Sequence, residues 1–205
     1  MNNERVSAIV NLLEDESSDV RQMMDTQLKK MSMVDLILLC ETSREINVEV
    51  SLHIEEIRQS LLFDFFVAEL EGKVSKDELD LESMAIFLSR FIDHTLKEED
   101  IKSQLNDLTQ RCKDYLESHF DEDQGDVLAR FLGGEEGFTG NKKQYYAIGN
   151  SSIYCALQNK KALPITLSVL YVILGKRLGI DIQGIAVPAH FIVGVYKDDE
   201  VKYYN

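Results

Sequence analysis

The stretch "PITLSVLYVILGKRLGIDIQGIAVPAHFIVGVYK", Pro164 to Lys197, decides the fold. Its first half is apolar nearly all round, so as a helix it must be buried on every side. Pro164 suits the first helical turn, where the N–H it lacks needs no partner. Gly179 supplies the left-handed residue that stops such a helix. Beyond it, "DIQGIAVPA" and "HFIVGVYK" read as strands, and "EVKYYN" reads as a third, joined through the turn "KDDE". A central helix followed by a small antiparallel sheet is an α+β arrangement. The chain stops at Asn205 inside or just after the third strand, and that abrupt end reads as a domain truncated at its C-terminus.

Upstream of this stretch the chain reads as helical. Val6, Ile9, Val10, Leu12 and Leu13 form a helical stripe ending near "EDESSD". Ser17 or Ser18 caps a second helix carrying Val20, Met23, Met24, Leu28 and Met31. "MVDLILLCETS" and "VEVSLHIEEIRQSLLFDFFVAEL" repeat the arrangement, so residues 1–72 read as HEAT-like helix pairs. "EGKVSKDELDLES" is expected to break the chain there. Residues 73–120 then form a helical connection, with Ile101, Leu105, Leu108, Cys112 and Leu116 on one face of its second helix. The final domain is placed at 121–205. Gly133, Gly134, Gly137, Gly140 and Gly149 predict a long loop with several special backbone positions. No GxxxxGK[ST] register accompanies them, so a phosphate cradle is not expected. "NSSIYCALQNKKA" starts a helix at an N-cap, Asn150 or Ser151.

Composition narrows the function classes. The chain has 205 residues and a net charge of −14, which opposes binding to nucleic acid or an anionic membrane. Its longest apolar run, Ile165 to Leu174, is too short to span a bilayer, and the N-terminus has no hydrophobic signal core. A cytoplasmic location is the simplest reading. Cys40, Cys112 and Cys155 are widely spaced and form no zinc pattern, so reduced packing thiols are expected, with no metal and no cofactor. His53, His94 and His119 have no partner cluster in the sequence and read as packing or helix-end residues.

The C-terminal motifs, taken in order, resemble the SirB-type branch of the transglutaminase-like superfamily. They are Gly137 to Asn141 (Gly-Phe-x-Gly-Asn), Asn150-Ser151, Pro164 to Ser168, Arg177 to Gly179 and Pro188 to Phe191. Ala189 departs from the branch, which usually has glycine there. The resemblance implies a papain-like domain. In its catalytic members a cysteine at the N-terminus of the central helix attacks an acyl carbon, where the helix dipole favours thiolate. A histidine on the next strand acts as base, and an Asp or Asn on the following strand orients it. Carried over, His190 takes the histidine position and Asn205 the third. The nucleophile position falls on Pro164, so the resemblance implies a domain without its catalytic cysteine.

Two further roles follow from these residues. Gly137, Phe138, Gly140, Asn141, Tyr145, Tyr146, Asn150, Ser151, Pro164, Thr166, Ser168 and Pro188 are the candidate pocket or loop residues. Tyr145 and Tyr146 either rim that pocket or hold the loop down. The leading expectation is a non-catalytic interaction or regulatory module that binds a protein or peptide, with a vestigial pocket around His190. One rival is a hydrolase or acyltransferase pairing His190 with Cys155, or with a hydroxyl of Thr166 or Ser168. The other is a helical scaffold that binds a partner through residues 1–120.

Overall fold

The computed structural model describes residues 3–76, 79–188, 190–198 and 200–204. They fall into two units, Met1–Asp77 and Glu78–Asn205. The first contains α1 (Asn3–Leu13), α2 (Ser18–Leu28), α3 (Met33–Ser43) and α4 (Val48–Ser75). Local chemistry sets two of the starts. The Ser32 hydroxyl accepts from Asp35 N–H at the head of α3. The Asn47 side-chain oxygen accepts from Glu49 and Val50 at the head of α4. Val6, Leu28, Leu36, Leu39 and Ile54 are fully buried in one core, each contributing roughly 1.5–3 kcal/mol. His53 Nε2 lies 2.7 Å from Asp25 Oδ1, joining α4 to α2.

The break expected over "EGKVSKDELDLES" falls inside that stretch, α4 ending at Ser75 and the next helix starting at Leu81, but later than its first residue. Helix α4 runs through Gly72 to Ser75. A single glycine costs a helix only about 1 kcal/mol, and no proline follows to enforce a stop. Met23, assigned to the apolar stripe of α2, is 58% exposed.

The second unit begins with α5 (Leu81–Ile92), α6 (Glu98–Glu117) and α7 (Gln124–Arg130). A wide π-helical turn, Phe131–Glu135, extends α7. The short strand β1 (Thr139–Gly140), a 3₁₀ turn at Ile148–Ser151, α8 (Ile153–Asn159) and β2 (Lys161–Ala162) come next. The unit closes with α9 (Pro164–Arg177), β3 (Ile182–Val187), β4 (His190–Lys197) and β5 (Glu200–Tyr204). Strands β3, β4 and β5 form an antiparallel sheet in that order, with Gly184 opposite Val193 and Val195 opposite Lys202. Strands β1 and β2 pair in parallel. The fold is α+β, with α9 packed on the antiparallel sheet.

Helix α9 begins at Pro164, in the first helical position, and Gly179 follows it with φ of 76°. Leu170, Val172, Ile173 and Leu174 are buried in the core with Ile182, Val193 and Val195. The region expected as a helical connection supplies α5 and α6 to this same core through Ile86, Ile101, Leu105, Leu108 and Cys112. Burial pushes the Cys112 thiol up to about 12, with the Glu136 charge adding to the effect. Ser89 on α5 accepts from Ile153 N–H at 3.1 Å and so ties down the head of α8.

Two local expectations are corrected here. Of the five clustered glycines, only Gly137 has positive φ, at 71°. Gly133 and Gly134 lie in the π-helical turn, because the chain continues α7 instead of entering a loop. The N-cap of α8 is Ser152, whose hydroxyl accepts from Cys155 N–H; Asn150 and Ser151 form the preceding 3₁₀ turn. No described helix is long and apolar enough to cross a membrane.

Candidate functional site

The head of α9 is organised around one buried asparagine. Asn150 uses its amide to donate to the carbonyls of Gln144 (2.6 Å) and Tyr145 (3.0 Å). Its side-chain oxygen accepts from Asn141 Nδ2 at 2.9 Å. Its backbone carbonyl accepts from Leu163 N–H and from the Thr166 hydroxyl, at 3.1 and 2.8 Å. Every polar group of this buried side chain therefore has a partner, as burial requires. The 141–150 loop is thereby fastened to the first turn of α9. Strand β1 adds Thr139 N–H to Lys160 C=O at 2.9 Å, and Asn141 N–H bonds Ala162 C=O at 3.0 Å.

An open cleft of about 380 Å³ lies at this end of α9. Pro164, Leu167, Ser168 and Tyr171 line it from the helix, with Phe138 and Gly140 from the β1 region. Val193 and Tyr204 line it from the sheet. The lining is mainly apolar, with hydroxyls at its edges. Tyr171 donates to Gly125 C=O at 2.6 Å, and Tyr204 donates to Asp126 at 3.0 Å and Asp123 at 3.2 Å. Burial, reinforced by those carboxylates, holds both phenols above the ordinary tyrosine range, so they stay protonated donors. Gly125 leaves no room for a Cβ beneath the Tyr204 ring.

A second, polar cleft of about 810 Å³ shares Thr139 and Gly140 with the first. Asn141, Lys142, Lys143, Gln144, Cys155 and Lys161 are among its lining residues. Nearby, Glu136 is bonded by Arg111 Nε and Lys160 Nζ, each at 2.7 Å. Those two cations, Arg111 first, hold its carboxyl below the usual range against the opposing effect of burial. Lys160 Nζ also stands 4.3 Å from the Phe138 ring centroid, a cation–π contact.

The residues singled out from sequence fall in different places. His190 is exposed at the first position of β4, opposite Val187, and lines neither cleft. The Ser168 hydroxyl donates to Phe191 C=O at 3.3 Å, one residue along the chain from His190. The Thr166 hydroxyl is buried on Asn150. Cys155 is half-buried and lines the polar cleft, whereas Cys40 and Cys112 are buried. Among the described residues, no hydrogen bond joins a His190 ring nitrogen to Cys155, Thr166 or Ser168. Asn205 and Ala189 lie outside the described residues. Pro188 is exposed in the β3–β4 turn.

Phe138 is buried, but Tyr145 and Tyr146 are exposed and meet edge-to-face with centroids 5.3 Å apart. The asparagine network, not those aromatics, holds the loop down. Among the described residues no cluster of His, Cys, Asp or Glu could hold a metal ion. Sequence reasoning missed Tyr171, Tyr204, Leu167 and Lys161 as lining residues. Tyr171 did carry a signal, because a hydroxyl inside an otherwise apolar helical run needs a buried partner.

A family model described as the transglutaminase-like superfamily matches residues 99–204. UPF0162 proteins from two strains of Xylella fastidiosa are each 29% identical over 134 residues, covering 62% of this chain and 46% of theirs. A UPF0162 protein of Vibrio cholerae is 31% identical over 70 residues, covering 34% of this chain and 26% of its own. These matches span less than half the length of the curated relatives. No solved structure shows a significant match.

Proposed function

The chain belongs to the transglutaminase-like superfamily, and from that premise we propose that it is a non-catalytic member of the SirB-type branch, working as a cytoplasmic protein-interaction or regulatory module. The observation that carries this reading is Pro164, which opens α9 and lines the apolar cleft. The catalytic members place a cysteine there. Proline offers no nucleophile, and no cysteine stands in the first turns of α9 to use the helix dipole. A general base works only within hydrogen-bond reach of the proton it removes, or through one water. The exposed position of His190, without a hydrogen bond to Cys155 or Ser168, supports a relic. The cleft then serves to bind, with Phe138, Leu167 and Tyr171 offering apolar surface to a partner's side chain. The first unit, with its successive helix pairs, is a HEAT-like attachment to this module.

One observation favours a second reading. Ser168 lines the cleft and its hydroxyl donates to the carbonyl of Phe191, the residue after His190 on β4, which keeps a serine hydrolase as the alternative. Activity-based labelling separates the readings. The binding module predicts that a thiol-reactive acyl electrophile and a fluorophosphonate label wild type and His190→Ala to the same extent. Labelling of Cys155 or Ser168 that disappears in His190→Ala would establish an enzyme and remove the proposal.

A further inference from the structure

The charges of this chain are unevenly placed. It carries 36 acidic residues, yet the forty-four positions between Glu136 and Asp181 contain none. Those positions hold Lys142, Lys143, Lys160, Lys161, Lys176 and Arg177. Lys160 is bound to Glu136 and Arg177 to Glu82. Lys142, Lys143 and Lys161 have no ion pair among the described residues, and all three line the 810 Å³ cleft, whose lining includes no carboxylate.

We infer that this lysine-lined cleft docks a short acidic peptide segment of a partner protein. Three lysines concentrated on one cavity attract carboxylates even in a chain of net charge −14. Charges more than about 8 Å away are largely screened at physiological ionic strength. Asn141, Gln144 and Asn159 supply uncharged hydrogen-bonding groups beside the lysines. In the chain between the lining residues Gln144, Ala147 and Gly149, Tyr146 is 96% exposed and Ile148 74%, with Tyr145 in edge contact with Tyr146. Such apolar and aromatic surface is what a peptide side chain packs on, and tyrosine is enriched at interface hot spots.

The lysines are also presented from a fixed backbone. Lys142 N–H bonds Gly140 C=O at 3.0 Å, and Asn150 fastens the turn from within. Binding therefore orders side chains and peptide but not the loop, which keeps its entropic cost low. A long polyanion fits less well. Tight nucleic-acid binders neutralise about six to ten phosphates, whereas this cleft offers three lysines. The inference rests on the reading of the chain as a binding module only in naming a peptide as occupant.

The test uses the full chain and a short fluorescein-labelled peptide alternating glutamate and leucine, followed by anisotropy. Combined Lys142→Glu, Lys143→Glu and Lys161→Glu substitution is expected to weaken binding about tenfold, because charge reversal replaces three weak attractions with repulsions. Lys176→Glu, outside the cleft lining, should leave binding unchanged. The peptide should also slow iodoacetamide alkylation of Cys155, because Cys40 and Cys112 are buried and silent. Binding that survives the triple reversal, or an alkylation rate that the peptide does not change, overturns the inference. Tighter binding of a single-stranded oligonucleotide, or equal binding of the glutamine–leucine peptide, does so too. His190-dependent labelling would remove the non-catalytic reading while leaving these outcomes untouched, so the two ideas fail separately.

Discussion

Glu136 holds two cations at once, Arg111 from α6 and Lys160 from the end of α8, and Lys160 in turn covers Phe138 at the cleft. Its carboxyl is held below the ordinary value of 4.5 in the folded chain. A depressed carboxylate contributes its stability in full above the unfolded pKa and loses it as pH falls toward the folded one. Urea unfolding should therefore show a loss of stability below about pH 5 that Glu136→Gln makes shallower. At neutral pH that substitution should cost on the order of 1 kcal/mol, because Arg111 remains half in water. An acid limb of unchanged slope would show that the bridge contributes nothing. This bridge was invisible in the sequence, since its members stand 24 and 25 positions apart. Asn150 was legible as a helix-start residue and as a candidate pocket or loop residue; that it satisfies two carbonyls and an amide depends on how the loop closes. His190 was legible as an ionisable residue at the mouth of a strand, but its exposure was not.

Helix α9 is the element whose bounds were most legible. Proline suits only a few helical positions, and glycine is the residue that best tolerates a left-handed end, so Pro164 and Gly179 marked both ends. Its packing onto the sheet was not written locally. Gly175 faces β3, and a Cβ built there would stand 2.7 Å from Ile182 Cγ2. Gly175→Ala should therefore destabilise the second unit by about 1–3 kcal/mol, despite alanine's better helix propensity, with its urea midpoint as the measure. A midpoint equal to or above wild type would mean that β3 yields freely. The glycine-rich segment shows the opposite limit. Glycine composition predicted a loop, yet Gly133 and Gly134 continue α7 as a wide turn, because a residue that permits irregular backbone does not demand it.

On the scale of the chain, the two units own separate cores. All residues of the second core, from Ala85 on α5 to Val195 on β4, lie within 79–205. A fragment of those residues should therefore unfold in one cooperative thermal transition, followed by near-UV circular dichroism and calorimetry. A broad, non-cooperative melt would show that the fragment's own packing is insufficient. The element order, the α+β class, the central helix and the three antiparallel strands were readable from residue types alone, because periodicity, caps and turns are local. What local chemistry could not supply was which distant side chains meet. Tyr171 and Tyr204 close one cleft from positions 33 residues apart, over a glycine far upstream of both. Lys142, Lys143 and Lys161 share another because a two-residue parallel pairing, β1 with β2, brings their backbones together. Non-local contacts are fixed by packing and chain closure, whose energies no single stretch of sequence contains.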